Sequence, residues 1–199
     1  MRAARLASAW LPHLLGLSIL ILGLQVFAED CQYHRQVFWV QPWRIFTAHL
    51  VHVHDLHLLF NLLALWGLYF LFDPPRWCWF YSAGVVAALS ITLYIDLALP
   101  EYDYYRGLSG VLHGWYMGLA LWAIVQQRGI DQWIGGLIAS LLILKVLNEW
   151  LGYLPTARQI LQVDVLYQAH GVGLLSVMLF TFLWGLGVIL GKKGVKTCG

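Results

Sequence analysis

Six long apolar runs, separated by short polar breaks, occupy most of this 199-residue sequence. An α-helix needs about 20 mostly apolar residues to cross a hydrocarbon core roughly 30 Å thick, so each run has the length of a membrane span. The sequence therefore predicts an all-α membrane protein with six transmembrane helices, in which residues 1–199 form one domain. The runs cover approximately residues 9–28, 54–72, 78–98, 108–125, 133–152 and 166–190.

Composition supports this class and excludes others. Hydrophobic residues make up 60% of the chain and charged residues 11%, whereas a soluble domain is about half apolar and a quarter charged. The sequence lacks a basic face interleaved with aromatic residues, so no nucleic-acid partner is expected. The three cysteines, Cys31, Cys78 and Cys198, form no metal-binding spacing. We predict no cofactor and no metal.

The basic residues predict the orientation of the spans. An even number of spans places both termini on one side, and cytoplasmic loops carry an excess of Lys and Arg. Both termini are accordingly expected in the cytoplasm. The alternative for the first run is a signal peptide, with Arg2 and Arg5 before it and Val26-Phe27-Ala28 as a weak cleavage site. The terminal side carries Arg2, Arg5, Arg76, Arg128, Lys192, Lys193 and Lys196, and the opposite side carries Arg35, Arg44, Arg106 and Arg158.

The segment 36–48 is apolar and aromatic, but Gln41, Pro42 and Arg44 interrupt it. It is too short and too polar to span a bilayer. We expect an interfacial loop lying in the outer headgroup layer. Its expected anchors are Phe38, Trp39, Trp43 and Phe46.

Four polar residues within the predicted spans should lie at one depth below the outer surface. Span four begins at Ser109, His170 lies about one turn into span six, and His57 and Asn61 lie one to two turns into span two. Each alone has an ordinary explanation, since small and polar residues often pack or hydrogen-bond between membrane helices. Polar groups in spans are also costly and usually functional. Their common depth favours a site.

The chemistry of such a site follows from the residue types. A serine becomes a useful nucleophile when a base removes its proton, and His170 can serve as that base for Ser109. No acidic residue is adjacent to His170 in sequence, and Asp164 in the preceding loop is the closest, so we expect a Ser–His dyad. The first amides of a helix lack intrahelical partners. Those of Leu108 and Ser109, with the side chains of His57 and Asn61, are candidate donors to an oxyanion.

These residues resemble the motifs of the rhomboid intramembrane serine proteases, over essentially the whole chain. The resemblance implies a six-helix bundle with a half-submerged first external loop, Ser109 as nucleophile and His170 as base. His57 and Asn61 would join the oxyanion hole, and His52 would organise that region. Gly107, Gly110, Trp43 and Arg44 are supporting positions. The motifs are Trp43-Arg44, His52-xxxx-His57-xxx-Asn61, Gly107-Leu108-Ser109-Gly110 and Ala169-His170-xx-Gly173.

Two positions depart from the family pattern. Val177 stands where the family usually continues its last motif to a glycine, and His113 stands where many rhomboids carry a tyrosine against the catalytic histidine. His113 can stack on His170, tune it or compete with it as the base, and we favour a supporting role. The string over residues 107–114, GLSGVLHG, resembles a bacterial subgroup, the rhombosortases.

The subgroup resemblance implies a particular substrate and location. Rhombosortases are associated with cleaving Gly-Gly-type C-terminal sorting tails, so the expected partners are transmembrane substrates with a C-terminal membrane anchor, within the lipid bilayer. The expected location is the bacterial inner membrane, with the active site opening to the periplasm.

Two other functions stay open at this point. The cluster His49, His52, His54 and His57 could bind haem or a transition metal, and an inactive rhomboid relative would bind membrane helices without cutting them. Lys145 and Glu149, four residues apart on span five, form either a helix ion pair or a latch for a substrate gate.

Overall fold

The computed structural model describes residues 2–72, 76–152 and 166–191. The six predicted apolar runs coincide with the six long helices of this part of the chain. The loop residues Asp73, Pro74, Pro75, Pro155, Arg158 and Asp164, and the tail residues Lys192, Lys193, Lys196 and Cys198, lie outside the described residues. The elements are α1 (Arg2–Gln25), α2 (Ala28–Cys31), β1 (Tyr33–His34), α3 (Arg44–Thr47), a 3-10 helix (Ala48–Leu50), α4 (Asp55–Leu71), α5 (Trp77–Ala98), β2 (Tyr104–Tyr105), α6 (Ser109–Gln126), α7 (Ile130–Leu151) and α8 (Gln168–Gly191).

Several of these helices are long and apolar enough to cross a membrane. In the described residues, α5, α7 and the segment Gln168–Gly187 of α8 meet both conditions. The segments Arg44–Leu50 and Asp55–Leu71 form an apolar pair bent by 91°, which adds a fourth candidate, and Ala9–Gln25 is a shorter apolar helix. Three or four candidate spans by length and composition agree with a multi-pass membrane protein.

Helix α6 lies at the centre of the bundle and packs against α4, α5, α7 and α8. Its glycines allow α8 to approach closely, as small residues do at membrane helix interfaces. A β-carbon added at Gly114 would lie 2.6 Å from Cγ2 of Val177 and 2.8 Å from the carbonyl oxygen of Gly173. Val177 itself is fully buried, so the branched side chain that replaces the family glycine fills the space over Gly114.

The loop between α1 and α4, which the sequence predicts to be external, is hydrogen-bonded to the end of α5. Nη2 of Arg35 donates to the carbonyl oxygens of Ile95 and Leu99, both at 2.8 Å. These carbonyls also accept from the amides of Leu99 and Tyr102, so the guanidinium adds a second partner to each of them where the helix ends. The Tyr33 hydroxyl donates to the Asp96 carboxylate at 2.9 Å. Burial, together with this bond, raises the pKa of Tyr33, so the hydroxyl stays a donor at neutral pH.

The same loop is also tied to the chain just before α6. Strand β1 pairs antiparallel with β2, with Tyr33 opposite Tyr105, and the amide of Gly107 donates to the carbonyl oxygen of Ala48 at 3.0 Å. The loop therefore fixes where α6 begins.

The aromatic residues of the segment 36–48 do not all face outward as predicted. Trp39, Trp43 and Phe46 are 41% to 68% exposed, as interfacial anchors would be. Phe38 is wrong in that role, because it is fully buried and its ring centroid lies 5.0 Å from that of Tyr33. An apolar side chain on the inner face of this loop packs on the protein rather than on lipid.

Candidate active site

Ser109 and His170 meet at the first turns of α6 and α8. Oγ of Ser109 lies 3.0 Å from Nε2 of His170, a hydrogen-bond distance. Their contact depends on the close approach of the two helices, because a β-carbon at Gly110 would lie 2.8 Å from the carbonyl oxygen of Ala169. His170 is 5% exposed. The pair is thus partly withdrawn from solvent at a helix N-terminus.

A cavity of about 540 Å³ opens in front of this pair, between α4 and α7. Its polar end is formed by Ser109, His170, His57 and Asn61. The remaining wall is apolar and includes Ile138, Leu141 and Leu142 of α7 and Phe60 of α4. The cavity has the size and mixed lining of small-molecule and peptide sites.

Gly107 holds a backbone conformation that other residues rarely adopt. Its φ is +141°, which glycine tolerates because it lacks a β-carbon. A β-carbon there would also lie 2.8 Å from Cε1 of His57. Neither ring nitrogen of His57 has a hydrogen-bond partner among the described residues. The glycine therefore admits a buried imidazole, at the edge of the cavity, whose donor is unpaired.

Two of the other predicted oxyanion donors, Asn61 and the Leu108 amide, have partners in this structure. Nδ2 of Asn61 donates to the carbonyl oxygen of His57 at 2.8 Å, which leaves one of its two hydrogens. The Leu108 amide donates to Nε2 of His52 at 3.4 Å, a long and weak bond. His52 also stands edge-on to His57, with centroids 5.1 Å apart. The amide of Ser109, in the first turn of α6, has no intrahelical acceptor.

His113 packs on one face of His170. The two imidazole rings are stacked, with centroids 4.2 Å apart and planes 14° from parallel. Nδ1 of His113 donates to the Ser109 carbonyl oxygen, one turn earlier, at 2.6 Å. Of the predicted roles for His113, stacking on His170 is the one that the structure shows. The His113 ring thereby links the backbone of Ser109 to the face of His170.

Glu149 is a site residue that sequence reasoning missed. Its Oε2 lies 2.9 Å from Nδ1 of His170, and its Oε1 lies 2.5 Å from Nζ of Lys145. Adjacency in sequence to His170 does not reveal it. The signal that could have found Glu149 is its predicted depth, because it lies near the predicted outer end of span five, level with the other four residues.

The predicted supporting pair Trp43 and Arg44 lies in the loop between α1 and α4 rather than in the cavity. Arg44 is buried, and its Nη1 donates to the carbonyl oxygens of Glu29 and Gln32, both at 2.8 Å. Its Nε donates to Oε1 of Gln41 at 2.6 Å. The Trp43 indole is half-exposed and donates to the Asp30 carbonyl oxygen at 3.4 Å. Arg44 therefore holds the loop backbone together.

The four histidines over 49–57 are not gathered around one point. Nε2 of His49 donates to the Ala88 carbonyl oxygen and approaches the Thr92 hydroxyl, both at 3.1 Å. In the part of the chain that the structure describes, no three His, Cys, Asp or Glu residues are arranged to hold a metal ion. His52 and His57 contact each other, whereas His49 bonds to α5.

The motifs and the helices that carry them can be compared with known families. The family model of the Rhomboid domain matches residues 40–186, a stretch that contains Trp43, Arg44 and the four site residues His57, Asn61, Ser109 and His170. No curated protein matches the chain at a significant level. The matched segment covers well over half of the sequence, and therefore this multi-pass membrane protein belongs to the rhomboid family, the family of intramembrane serine proteases.

Proposed function

We propose that this protein is an intramembrane serine endopeptidase in which Ser109 is the nucleophile and His170 the general base. The observation that carries the proposal is the 3.0 Å separation between Oγ of Ser109 and Nε2 of His170, at the polar end of the cavity. An intact pair also favours an active enzyme over an inactive relative that only binds membrane helices.

In the first half of the reaction, Oγ of Ser109 attacks the carbonyl carbon of the scissile peptide bond while its proton passes to Nε2 of His170. A tetrahedral oxyanion forms. When the C–N bond breaks, the same proton goes to the leaving amine. In the second half, water attacks the acyl-enzyme ester, and His170 again takes and returns one proton.

The oxyanion needs preorganised donors. We assign it to the Ser109 amide, the free donor of His57 and the second amide hydrogen of Asn61. The Leu108 amide joins them when the oxyanion replaces its long bond to His52. In this assignment His52 and His113 support the site, the first by holding Leu108 and the second by stacking on His170. Gly107 and Gly110 supply the close approaches that bring these groups together.

We further propose six spans formed by α1, α4, α5, α6, α7 and α8 within one domain, with both termini in the cytoplasm and the active site open to the periplasm. The arrangement is supported by the helix ends at which the site residues occur. Ser109 begins α6, His170 and His57 lie in the first turns of α8 and α4, and Glu149 lies in the last turn of α7. Alternate spans run in opposite directions, so all four belong to one end of the bundle.

The proposed substrates are exported proteins of a bacterial inner membrane that carry a C-terminal membrane anchor preceded by a Gly-Gly-type motif, as in rhombosortases. The cavity supports this class because its wall is apolar and it lies between α4 and α7, where a membrane segment can reach it from the lipid. Glycines also let a substrate helix unwind at little cost before cleavage.

A serine-reactive fluorophosphonate tests the nucleophile in native membranes. We expect labelling of the wild type and none of Ser109→Ala. Ser176→Ala is the matched control, because Ser176 donates to the Gly173 carbonyl oxygen within its own helix and should not affect labelling. Unchanged labelling of Ser109→Ala would refute the mechanism.

The substrate class is tested separately with a reporter that ends in a Gly-Gly motif, a membrane segment and basic residues. We expect cleavage by the wild type, and none by Ser109→Ala or His170→Ala. Replacing the two glycines by leucine should abolish cleavage. If the leucine reporter were cut equally well, the protease assignment would stand and the substrate class would be wrong.

A further inference from the structure

The carboxylate of Glu149 occupies the side of His170 opposite Ser109. Oε2 of Glu149 lies 2.9 Å from Nδ1, while Oγ of Ser109 lies 3.0 Å from Nε2. The side chains of Glu149 and His170 are 5% and 6% exposed. The three groups therefore form one hydrogen-bonded line through the imidazole, shielded from solvent.

The position of Glu149 is set by the packing of α7 on α8. A β-carbon at Gly171 would lie 3.2 Å from Nε1 of Trp150 and 3.5 Å from Cγ1 of Val146. Those residues flank Glu149 on α7, and Gly171 follows His170 directly on α8. The absence of a side chain at Gly171 lets α7 come close enough for the carboxylate to reach the ring.

An ion pair with Lys145 does not by itself account for this geometry. Lys145 is 41% exposed and lies on the cavity wall, where water can solvate its ammonium group. Glu149 uses one oxygen for Lys145 and the other for His170. Burying a carboxylate in a membrane helix is expensive unless both oxygens have partners, and such residues usually serve function.

The two charged neighbours of Nδ1 favour opposite forms of the neutral ring. The carboxylate only accepts hydrogen bonds, so it requires a proton on Nδ1 and leaves Nε2 as the acceptor that faces Ser109. The ammonium of Lys145, 3.3 Å from Nδ1, only donates, so it requires a bare Nδ1 and a proton on Nε2. With a proton on Nε2, the ring cannot accept the proton of Ser109.

We propose that Glu149 is a positioning residue that completes a Ser109–His170–Glu149 triad, by holding His170 in the tautomer that accepts the serine proton. The proposal rests on the proposed protease function and deepens it, since a dyad alone was expected from the sequence. During the reaction the proton of Ser109 moves to Nε2 and stays there until the amine leaves. Glu149 takes no proton, and its negative charge stabilises the transient imidazolium.

Kinetics of reporter cleavage by the full-length protein in liposomes test the proposal. We expect Glu149→Gln to lower kcat by about 10²- to 10⁴-fold with little change in KM, because an amide can donate to Nδ1 and select the wrong tautomer. Glu149→Asp keeps a carboxylate and should retain more activity than Glu149→Gln. The matched control is Glu101→Gln, an exposed carboxylate in the loop before β2, which should leave kcat unchanged.

Lys145→Met separates the triad from a simple ion pair. It removes the partner of Oε1 but leaves the carboxylate on Nδ1, so its loss of kcat should be less than tenfold. In the His170→Ala background, Glu149→Gln should add no further loss, because it acts through the histidine. A Lys145→Met loss equal to that of Glu149→Gln would overturn the proposal, and so would a Glu149→Gln enzyme within threefold of wild type.

A direct measurement of the His170 tautomer in the wild type tests the proposal even if a variant folds poorly. In protein labelled with [15N]-histidine, in lipid at pH 8, solid-state NMR distinguishes a proton on Nδ1 from one on Nε2, and His170→Ala assigns the signal. We expect the Nδ1–H form in the wild type and a shift toward Nε2–H in Glu149→Gln. An Nε2–H wild type would overturn the triad. If Ser109→Ala kept activity, the protease function itself would fail instead.

Discussion

Replacing Gly110 by alanine should separate the catalytic pair without touching either member. The new β-carbon would meet the carbonyl oxygen of Ala169 at 2.8 Å, against the 3.4 Å at which ordinary contact begins, a shortfall of 0.6 Å. It would also meet Cδ1 of Ile91 at 2.6 Å. The Ile91 side chain can rotate away, but the Ala169 backbone can move only with α8.

Movement of α8 at Ala169 would also displace His170, the next residue in the chain. If α8 moves by the full shortfall, the distance from Oγ of Ser109 to Nε2 of His170 grows from 3.0 Å to about 3.6 Å, beyond hydrogen-bond range. A misplacement of about 1 Å can lower a rate about 10²-fold, so we expect Gly110→Ala to lose ten- to a hundredfold in kcat. Overpacking should also reduce the free energy of unfolding by about 1–3 kcal/mol.

The assay combines reporter cleavage, the rate of fluorophosphonate labelling and thermal unfolding of the same preparations. Gly136→Ala on α7 is the matched control, because nothing lies within 4 Å of its added β-carbon. It should cleave like the wild type. Labelling of Gly110→Ala at the rate of Gly136→Ala would show that the α6–α8 contact does not set the Ser–His distance, and the reasoning would fail.

Three further substitutions test other parts of the site. Gly107→Ala should greatly reduce cleavage, because it forces φ out of +141° and drives a β-carbon into the His57 ring; cleavage at the wild-type rate would contradict this. Arg44→Leu should lower the free energy of unfolding by about 3 kcal/mol, since two loop carbonyls lose a charged donor; an unchanged melting temperature would contradict it. His113→Phe keeps an aromatic ring on His170 but loses the bond to the Ser109 carbonyl, so turnover should fall without vanishing. A complete loss, equal to that of His170→Ala, would make His113 a candidate base.

The helices could be predicted from the sequence because membrane burial leaves long apolar runs. The run over 78–98 became the helix Trp77–Ala98, and that over 108–125 became Ser109–Gln126. The predicted ends lie within a few residues of the observed ones, because polar breaks separate the helices. Gly129 precedes the first residue of α7, and Gly152, with φ of +70°, caps its C-terminus in the left-handed conformation. The positions of the helices are therefore encoded locally in the sequence.

The loop between α1 and α4 could be predicted only in outline. The sequence uses Arg35 only as a charge that indicates orientation, yet its guanidinium binds the end of α5, about 60 residues away. Phe38 was assigned to the headgroup layer and lies inside the protein. Composition shows that a segment is apolar and interrupted, but not which of its faces meets lipid, because that depends on contacts distant in sequence.

For the candidate site, the sequence predicts how deep each residue lies in the membrane but not the direction in which its side chain points. The predicted topology places Ser109, His170 and Glu149 at similar depth in three different helices, and in the structure each lies close to a helix terminus. Depth alone does not say which side chains face one another. That is decided by small residues at the crossings, Gly110 against Ala169 and Gly171 against Trp150.

The two helix crossings, at Gly110 and at Gly171, each bring a partner to a different ring nitrogen of His170. The approach of α6 to α8 at Gly110 brings Ser109 to Nε2, and the approach of α7 to α8 at Gly171 brings Glu149 to Nδ1. A histidine base needs both, because the partner on one nitrogen decides whether the other can accept a proton. The glycines on each side of the ring therefore matter as much to the proposed chemistry as the polar residues, since they determine how close the helices that carry those residues can come.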